Sequence, residues 1–423
     1  MWKTLKKVCP KLKPSLPSAK RNLKGKIVTS HQDLKNLLSA EYKNRLRTRP
    51  MRIDLKTVEE RKQDIFELKM KLSKMKQSEP WSENDLEIAL RDLKNNKSRD
   101  FEGYSNEIFK NGMIGSNLKH SLLLMFNSLK KENIIPLFMN YANVTTVPKS
   151  GSRLDPANER GIFRVEIIRS ILMRLIYNSK YFKIEENMSD CQMGARKGKG
   201  CRNNIWILNG IIHEKLKKLN TKPVVLQFYD YKQMFDSVNL KEAISDLYDY
   251  GVQDGDLQLL YKANKEIFMA VKTSGGLTNR QIITNSVLQG DTWGPMMASV
   301  QVEKIGKSVE EAGIGYLYKN QLPISILGLI DDVVGVSDAG YRAQQLNVIL
   351  NTKTSEKGLQ YGINKCKLMI IGNEENSINS ELLVDCWKQD YQENIKTGEF
   401  KLVENFIGEV PIGKPLNISI WGS

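Results

Sequence analysis

The sequence predicts a mixed α+β chain, and three observations carry that reading. Apolar residues recur at helical spacing through much of the first half. A β-rich run, Val224-Val-Leu226 through Phe228-Tyr229, halts on Asp230. Two further apolar runs flank the pair Asp331-Asp332.

Taken in order, Leu55, Val58, Ile65, Leu68, Leu72 and Met75 step by threes and fours, which predicts a helix packed through that stripe. Pro80 closes it. Ser82 with Asp85 reads as a capping box for a second helix bearing Leu86, Ala89, Leu90 and Leu93. The segment 167–176 is apolar nearly all round, with Arg164, Arg169 and Arg174 interleaved, so a buried core helix with basic flanks is expected. From about residue 222 a strand ending on Asp230 is followed by a helix between Asn239, a good N-cap, and Gly251, a good C′ residue. The runs 323–330 and 333–336 predict two strands, with Asp331-Asp332 as a two-residue hairpin turn.

At 423 residues the chain has material for two or three subdomains. Lys and Arg number 64 against 48 Asp and Glu, a formal charge of +16. A surplus of that size suggests a polyanionic partner, nucleic acid first. Residues 1–30 carry nine bases and no acid, broken by Pro10, Pro14 and Pro17, so a solvated basic arm is expected over 1–50. Five scattered cysteines without a CxxC pair argue against a disulfide framework or zinc knuckle and for an intracellular setting, nucleus or cytoplasm. No apolar run approaches the roughly 18 residues a membrane span needs.

Adjacent carboxylates between apolar strands repel each other and lose hydration unless a cation compensates. For an isolated Asp-Asp pair, turn propensity alone is a sufficient explanation. A third strand-end carboxylate, Asp230, adds weight to the other one, because paired Mg²⁺ ions about 3.5–4 Å apart need acidic oxygens converging from separate strands.

At these residues the chain resembles the reverse transcriptases of non-LTR retrotransposons. Asp230-Tyr-Lys-Gln-Met-Phe235-Asp236-Ser-Val238 follows that family's D-x4-F-D-x-V block, and Leu329-Ile330-Asp331-Asp332 its x-x-D-D hairpin. Gln289-Gly290 with Pro295 fits Q-G-x4-P. Lys97, Gly103, Glu107 and Lys110 fit K-x5-G-x3-E-x2-K, and Val147-Pro148-Lys149 with Asn158-Glu-Arg160 fits the P-K and N-x-R pair. Gln192-Met-Gly194-Ala-Arg196-Lys197-Gly198 matches Q-x-G-x-R-x-G. Downstream, Gly362-Ile-Asn364-Lys365-Cys-Lys367 resembles the palm block bearing a lysine, and Asn405-Phe406-Ile407-Gly408 the primer-grip hairpin. Three positions depart from the pattern. Leu329-Ile330 replace an aromatic and an alanine, Gly161 replaces a proline, and a loop about two residues short leaves Lys365 and Lys367 as competing assignments.

The resemblance implies a right-hand polymerase fold, with helical fingers over 51–221 and a palm with an antiparallel sheet over 222–423. The thumb and an endonuclease would lie on flanking polypeptide. It implies RNA-directed DNA synthesis from dNTPs on an RNA template and a DNA primer. Asp230, Asp331 and Asp332 would hold two Mg²⁺ ions, with Mn²⁺ as a substitute. Lys149, Arg160, Phe235, Gln289, Gly290 and Lys365 would contact the nucleotide, and Arg196, Lys197, Phe406 and Gly408 the template and primer; Asp236 would cap the following turn. Two other readings stand beside it: a catalytically silent retroelement-derived nucleic-acid-binding protein, and an RNA-dependent RNA polymerase, which shares the Asp230–Asp236 spacing but usually carries Gly-Asp-Asp.

Overall fold

The computed structural model describes residues 16–46, 56–100, 102–110, 115–149, 152–217, 223–284, 287–338, 340–371, 383–393, 400–411 and 416–418. Helices and sheets are mixed, as the sequence predicts. The chain opens with a short antiparallel pair, β1 (Lys20–Arg21) and β2 (Ile27–Val28), then α1 (His31–Arg45). Ser30 caps α1 by accepting from the Asp33 amide. There follow α2 (Lys56–Met75), α3 (Glu83–Arg91), α4 (Asn106–Lys110) and α5 (Ser116–Glu132), then β3 (Tyr141–Pro148) and β4 (Glu159–Val165). The Ser82–Asp85 capping box at the start of α3 is present in full.

Two long helices, α6 (Ile167–Asn187) and α7 (Cys201–Lys217), lead into β5 (Val224–Asp230), the turn helix α8 (Met234–Ser237), α9 (Leu240–Asp249) and α10 (Gly255–Asn264). Asn239 caps α9 through the Lys241 and Glu242 amides, and Gly251 ends it at φ +100°. Next come β6 (Ile267–Thr273), β7 (Gly276–Leu277), β8 (Gln281–Ile283), α11 (Gly294–Glu311), the hairpin β9 (Tyr316–Tyr318) and β10 (Leu322–Ile324), then β11 (Ile326–Leu329) and β12 (Asp332–Ser337). The chain continues through α12 (Gly340–Glu356), β13 (Lys367–Ile371), β14 (Leu383–Glu393), β15 (Phe400–Pro411) and β16 (Leu416–Ile418).

The central sheet runs β11-β12-β5-β13-β16. Its strands alternate between two cores. Val225, Tyr229, Val333 and Leu368 join the main core with α6, α9, α10, α11 and α12, while Leu226, Phe228, Val336 and Met369 pack with α7 through Ile211 and Ile207. This is the period-2 pattern of a sheet covered on both faces. A second sheet, β4-β3-β6-β7 with β8 against β6, joins β6–β8 to strands more than a hundred residues upstream, so a division at residue 222 is not clean in space. Arg169 of α6 ties the segment just before β3 to the end of α10 and to the approach to α11. It is wholly buried and donates to the carbonyls of Met139 and Ala263 and to Asn264 and Asp291. The helix at 167–176 is thus a core helix, as expected, with one of its arginines inside.

Three expectations are corrected. Over residues 16–46 there is no solvated arm. Leu34, Leu38, Tyr42 and Leu46 are buried against β3, β4 and β6, and Lys20 is buried in an ion pair with Glu159; residues 1–15 lie outside those described. Basic composition did not reveal that α1 carries its own apolar stripe. On α2 the expected stripe faces outward: Ile65, Leu68, Leu72 and Met75 are exposed, while Phe66 and Ser73 are buried. The helix packs instead through Phe66, whose ring meets Tyr261 at 5.1 Å, and through Met70, while Lys62 pairs with Glu242 and Lys69 with Asp249 on α9. Finally, the hairpin turn is Ile330-Asp331, one residue earlier than read, because Leu329 pairs with Asp332.

Truncating Leu38 to Ala tests the first correction. Buried Leu→Ala changes cost about 2–5 kcal/mol, so urea unfolding of Leu38→Ala is expected to show a loss in that range. A solvated arm would show none.

Candidate active site

Strand β5 ends where its apolar run ends, on Asp230. In the antiparallel register with β12, Asp230 stands directly opposite Asp332, and Asp331 occupies the turn beside them. Directly opposed residues share a face with Cβ atoms about 4.5–5.5 Å apart, and like charges there are destabilising. Asp331 records the strain: burial pushes its carboxyl up from the usual range, and the charges of Asp332 and Asp230 push the same way, with Arg160 opposing.

The turn is held by a segment between α6 and α7. Gln192 is buried; its Oε1 accepts from the amides of Ile330 at 2.8 Å and Gly194 at 2.7 Å, and its Nε2 donates to the Ile330 carbonyl at 3.1 Å. Ile330 sits at φ +61°, an unfavourable conformation for a β-branched residue, and this side-chain clamp offsets it. Around it the backbone amides of Gly328 and Met193 donate to the carbonyls of Cys191 and Gly328. A Cβ on Gly194 would lie 2.2 Å from the Ile330 nitrogen.

Beneath Asp230, Tyr229, Tyr231 and Tyr361 form a buried aromatic plate with successive centroids 5.0 Å apart. The Tyr229 hydroxyl donates to Asn347 and the Tyr361 hydroxyl is 2.7 Å from Thr354, which anchors the strand end to α12. Gly362 donates its amide to the Asp230 carbonyl at 2.7 Å, and a Cβ there would come within 2.9 Å of Asp230 Oδ2. Lys365 Nζ lies 3.2 Å from that carboxylate. Lys367 is on β13 opposite Phe228, two residues back from the strand end, so the geometry favours Lys365 of the two lysines.

A cavity of about 500 Å³ adjoins Asp230 and is lined by Lys149, Asn158, Arg160, Lys232, Gly362 and Lys365 among others. That volume lies within the roughly 300–1,000 Å³ range of small-molecule sites. Lys149 is half-buried, and burial, then the nearby Arg45 charge, holds its ammonium below the usual lysine range. A point charge just after β3 and a planar fork at the start of its neighbour β4 suit a polyphosphate. A larger cavity of about 860 Å³ lies elsewhere, among α2, α9, α11 and α12. Its lysines are engaged in ion pairs such as Lys304–Asp246, Lys357–Asp246 and Lys62–Glu242.

The remaining residues are placed as follows. Phe235 is half-buried in the main core, close to Gly294 at the start of α11. The Gln289 carbonyl accepts from Phe163 of β4, and Gly290, at φ +115°, passes so close that a Cβ would be 3.0 Å from the Phe163 carbonyl. Its close approach is to the chain itself. Arg196 departs from the template role: it is buried, with its guanidinium on Glu185 and on the carbonyls of Ser189 and Gln192. Lys197 is exposed with its ammonium over the Tyr181 ring. Phe406 and Gly408 lie on β15, paired with Trp387 and Cys386 of β14, and the register shift between the two pairs leaves Ile407 as an extra residue on β15. Asp236 lies on the short helix α8, and its carboxylate is 4.0 Å from Arg45 Nε. Gly161 leaves space for the Tyr42 ring, since a Cβ would meet it at 2.5 Å, which accounts for glycine where the family pattern has proline.

Residues 147–400, more than half of the chain, match the model of the family described as reverse transcriptase (RNA-dependent DNA polymerase). The chain belongs to the reverse transcriptase family. It is also 23% identical over 135 residues to a Retrovirus-related Pol polyprotein from type-1 retrotransposable element R2 of Popillia japonica, an alignment covering 32% of this chain and 22% of that one. The chain therefore spans about a fifth of the length of that curated relative.

For a reverse transcriptase the carboxylates must accommodate divalent ions. Among the described residues no three His, Cys, Asp or Glu side chains are arranged to hold one ion. Mg²⁺ is ordinarily held by one or two carboxylates with waters and substrate phosphates completing the octahedron. The opposed Asp230 and Asp332, with Asp331 adjacent, fit that mode, and a cation would relieve the repulsion that Asp332 and Asp230 exert on Asp331. Gln192, Gly194, Arg45 and Tyr42 received no role from the sequence. The first two sit inside a recognised motif; the last two follow a region without one.

Proposed function

We propose that this chain is the fingers and palm of a non-LTR-type RNA-directed DNA polymerase, with β5, β11, β12 and β13 as palm strands and β3 and β4 as fingers strands. The observation that carries the reading is the register setting Asp230 opposite Asp332, beside a cavity lined by Lys149 and Arg160. The RNA template, DNA primer and dNTPs are the substrates. The primer 3′-hydroxyl attacks the α-phosphorus, the bond to the β-phosphate oxygen breaks, and pyrophosphate departs. Divalent ions, Mg²⁺ or Mn²⁺, held by Asp230 and Asp331 with Asp332 assisting, would supply Lewis-acid stabilisation of the attacking and leaving oxygens. Lys149 and Arg160 neutralise the charge growing on the leaving group. Lys365, whose side chain is 72% exposed, is free to swing from Asp230 and protonate it. Phe235 bars a 2′-hydroxyl by bulk, while Lys197, Phe406 and Gly408 serve the template–primer duplex.

Primer extension on an RNA template is the test, with dNTPs and rNTPs supplied separately. Extension with dNTPs is expected, and Phe235→Ala is expected to raise rNTP incorporation about ten-fold or more, the scale of removing a steric discriminator. Incorporation of rNTPs alone by the unaltered chain would favour the RNA polymerase reading. Salt-sensitive binding without synthesis would favour the silent binding protein.

A further inference from the structure

We propose that Arg45 is a positioning residue that ties the loop leading into Arg160, at the start of β4, to the turn presenting Phe235. The inference rests on the polymerase reading for what the site binds. Arg45 closes α1 and is 3% exposed. One guanidinium nitrogen donates to the Glu159 carbonyl at 2.8 Å and the other to the Pro156 carbonyl at 3.0 Å. Both acceptors lie in the few residues that lead into Arg160, so the fork sets the path of that loop into the cavity. Glu41 and the Tyr42 ring hold the guanidinium from its own helix, at 3.2 Å and 4.7 Å.

The third nitrogen faces the other wall. Arg45 Nε is buried and has no hydrogen-bond acceptor among the described residues, and the Asp236 carboxylate lies 4.0 Å away. Asp236 follows Phe235 on the same short helix. A hydrogen bond needs about 2.7–3.2 Å, so a displacement of about 1 Å between loop and turn makes or breaks this contact. Arg45 therefore registers the distance between the phosphate-facing loop and the sugar-facing turn, while itself lying outside the residues that line the cavity. Lysine cannot replace it, because a single ammonium cannot reach two carbonyls and a carboxylate in the fixed fork geometry.

The test uses the full chain with Arg45→Lys, Arg45→Gln and Asp236→Asn. Two readouts are taken: dNTP KM and kcat in primer extension, and equilibrium binding of a fluorescent dATP in Mg²⁺. Both Arg45→Lys and Asp236→Asn are expected to raise KM and weaken dATP binding, by about ten-fold and about three-fold respectively, with kcat changed less than three-fold. Arg45→Gln combined with Asp236→Asn is expected to cost less than the product of the single effects. If Arg45→Gln fails to fold, Arg45→Lys and Asp236→Asn carry the comparison. Unchanged dATP binding in either overturns the tie, as does a fall in kcat alone. A chain that binds dATP without extending primers defeats the polymerase reading, and the binding data then judge Arg45 by themselves. A chain that binds no dATP refutes both.

Discussion

Asp230→Asn and Asp331→Asn are each expected to abolish extension of a DNA primer on an RNA template, by ~10²–10³-fold or more, the scale of deleting one transition-state electrostatic partner. Asn keeps the shape of Asp while removing the charge and turning one acceptor oxygen into a donor, so the circular dichroism spectrum should be unchanged. Asp331→Asn should also melt at a higher temperature than the unaltered chain at neutral pH in chelator. The reason is linkage. The Asp331 carboxyl is raised in the folded state by burial and by Asp332 and Asp230, so the native chain keeps that proton to higher pH than the unfolded chain does. Its contribution to stability is full below the unfolded value of about 3.9 and is lost as pH rises through the folded value. The melting gap between variant and parent should therefore open as pH increases from 4 to 8. Activity retained by either variant would remove the ligand assignment, and a gap that stays constant with pH would remove the electrostatic account of the turn.

Gly194→Ala is expected to lower kcat about 100-fold while binding of an RNA–DNA duplex is retained. The added methyl would meet the Ile330 nitrogen at 2.2 Å and Gln192 Oε1 at 2.8 Å, so it must push apart the clamp that holds Asp331 in place. Misplacement by about 1 Å can cost 10²-fold without touching the chemistry. Gly200→Ala is the control, because a Cβ there meets nothing within 4 Å. A kcat within two-fold of the parent for Gly194→Ala would show that the clamp does not position the carboxylates.

The elements legible in the sequence were those whose signal is local. The Ser82–Asp85 box, the Asn239 cap, the core helix at 167–176 and the strand ending on Asp230 are each written within a dozen residues. The failures share a cause. The apolar stripe of α2 predicts a packing face, but the helix buries Phe66 against Tyr261 instead, and periodicity holds no information about a partner nearly 200 residues away. The basic segment before residue 50 was read by composition, and composition is silent on whether Leu34, Leu38 and Tyr42 have a sheet to lie against. The Q-x-G-x-R-x-G resemblance implies a template contact for Arg196, and the motif is silent on Glu185, eleven residues earlier on α6, which engages it.

What the amino acids determined unaided is the inventory: three carboxylates at strand ends, a lysine and an arginine eleven residues apart, and apolar runs of strand length on either side of the acids. Tertiary structure decided the pairing. Asp332, and not Asp331, stands across from Asp230, Lys365 rather than Lys367 reaches that carboxylate, and an arginine from the first helix closes behind the segment that leads into Arg160. Strand register and helix docking are settled by which side chains can be buried together across a hundred residues or more, and no spacing along the chain encodes that sum.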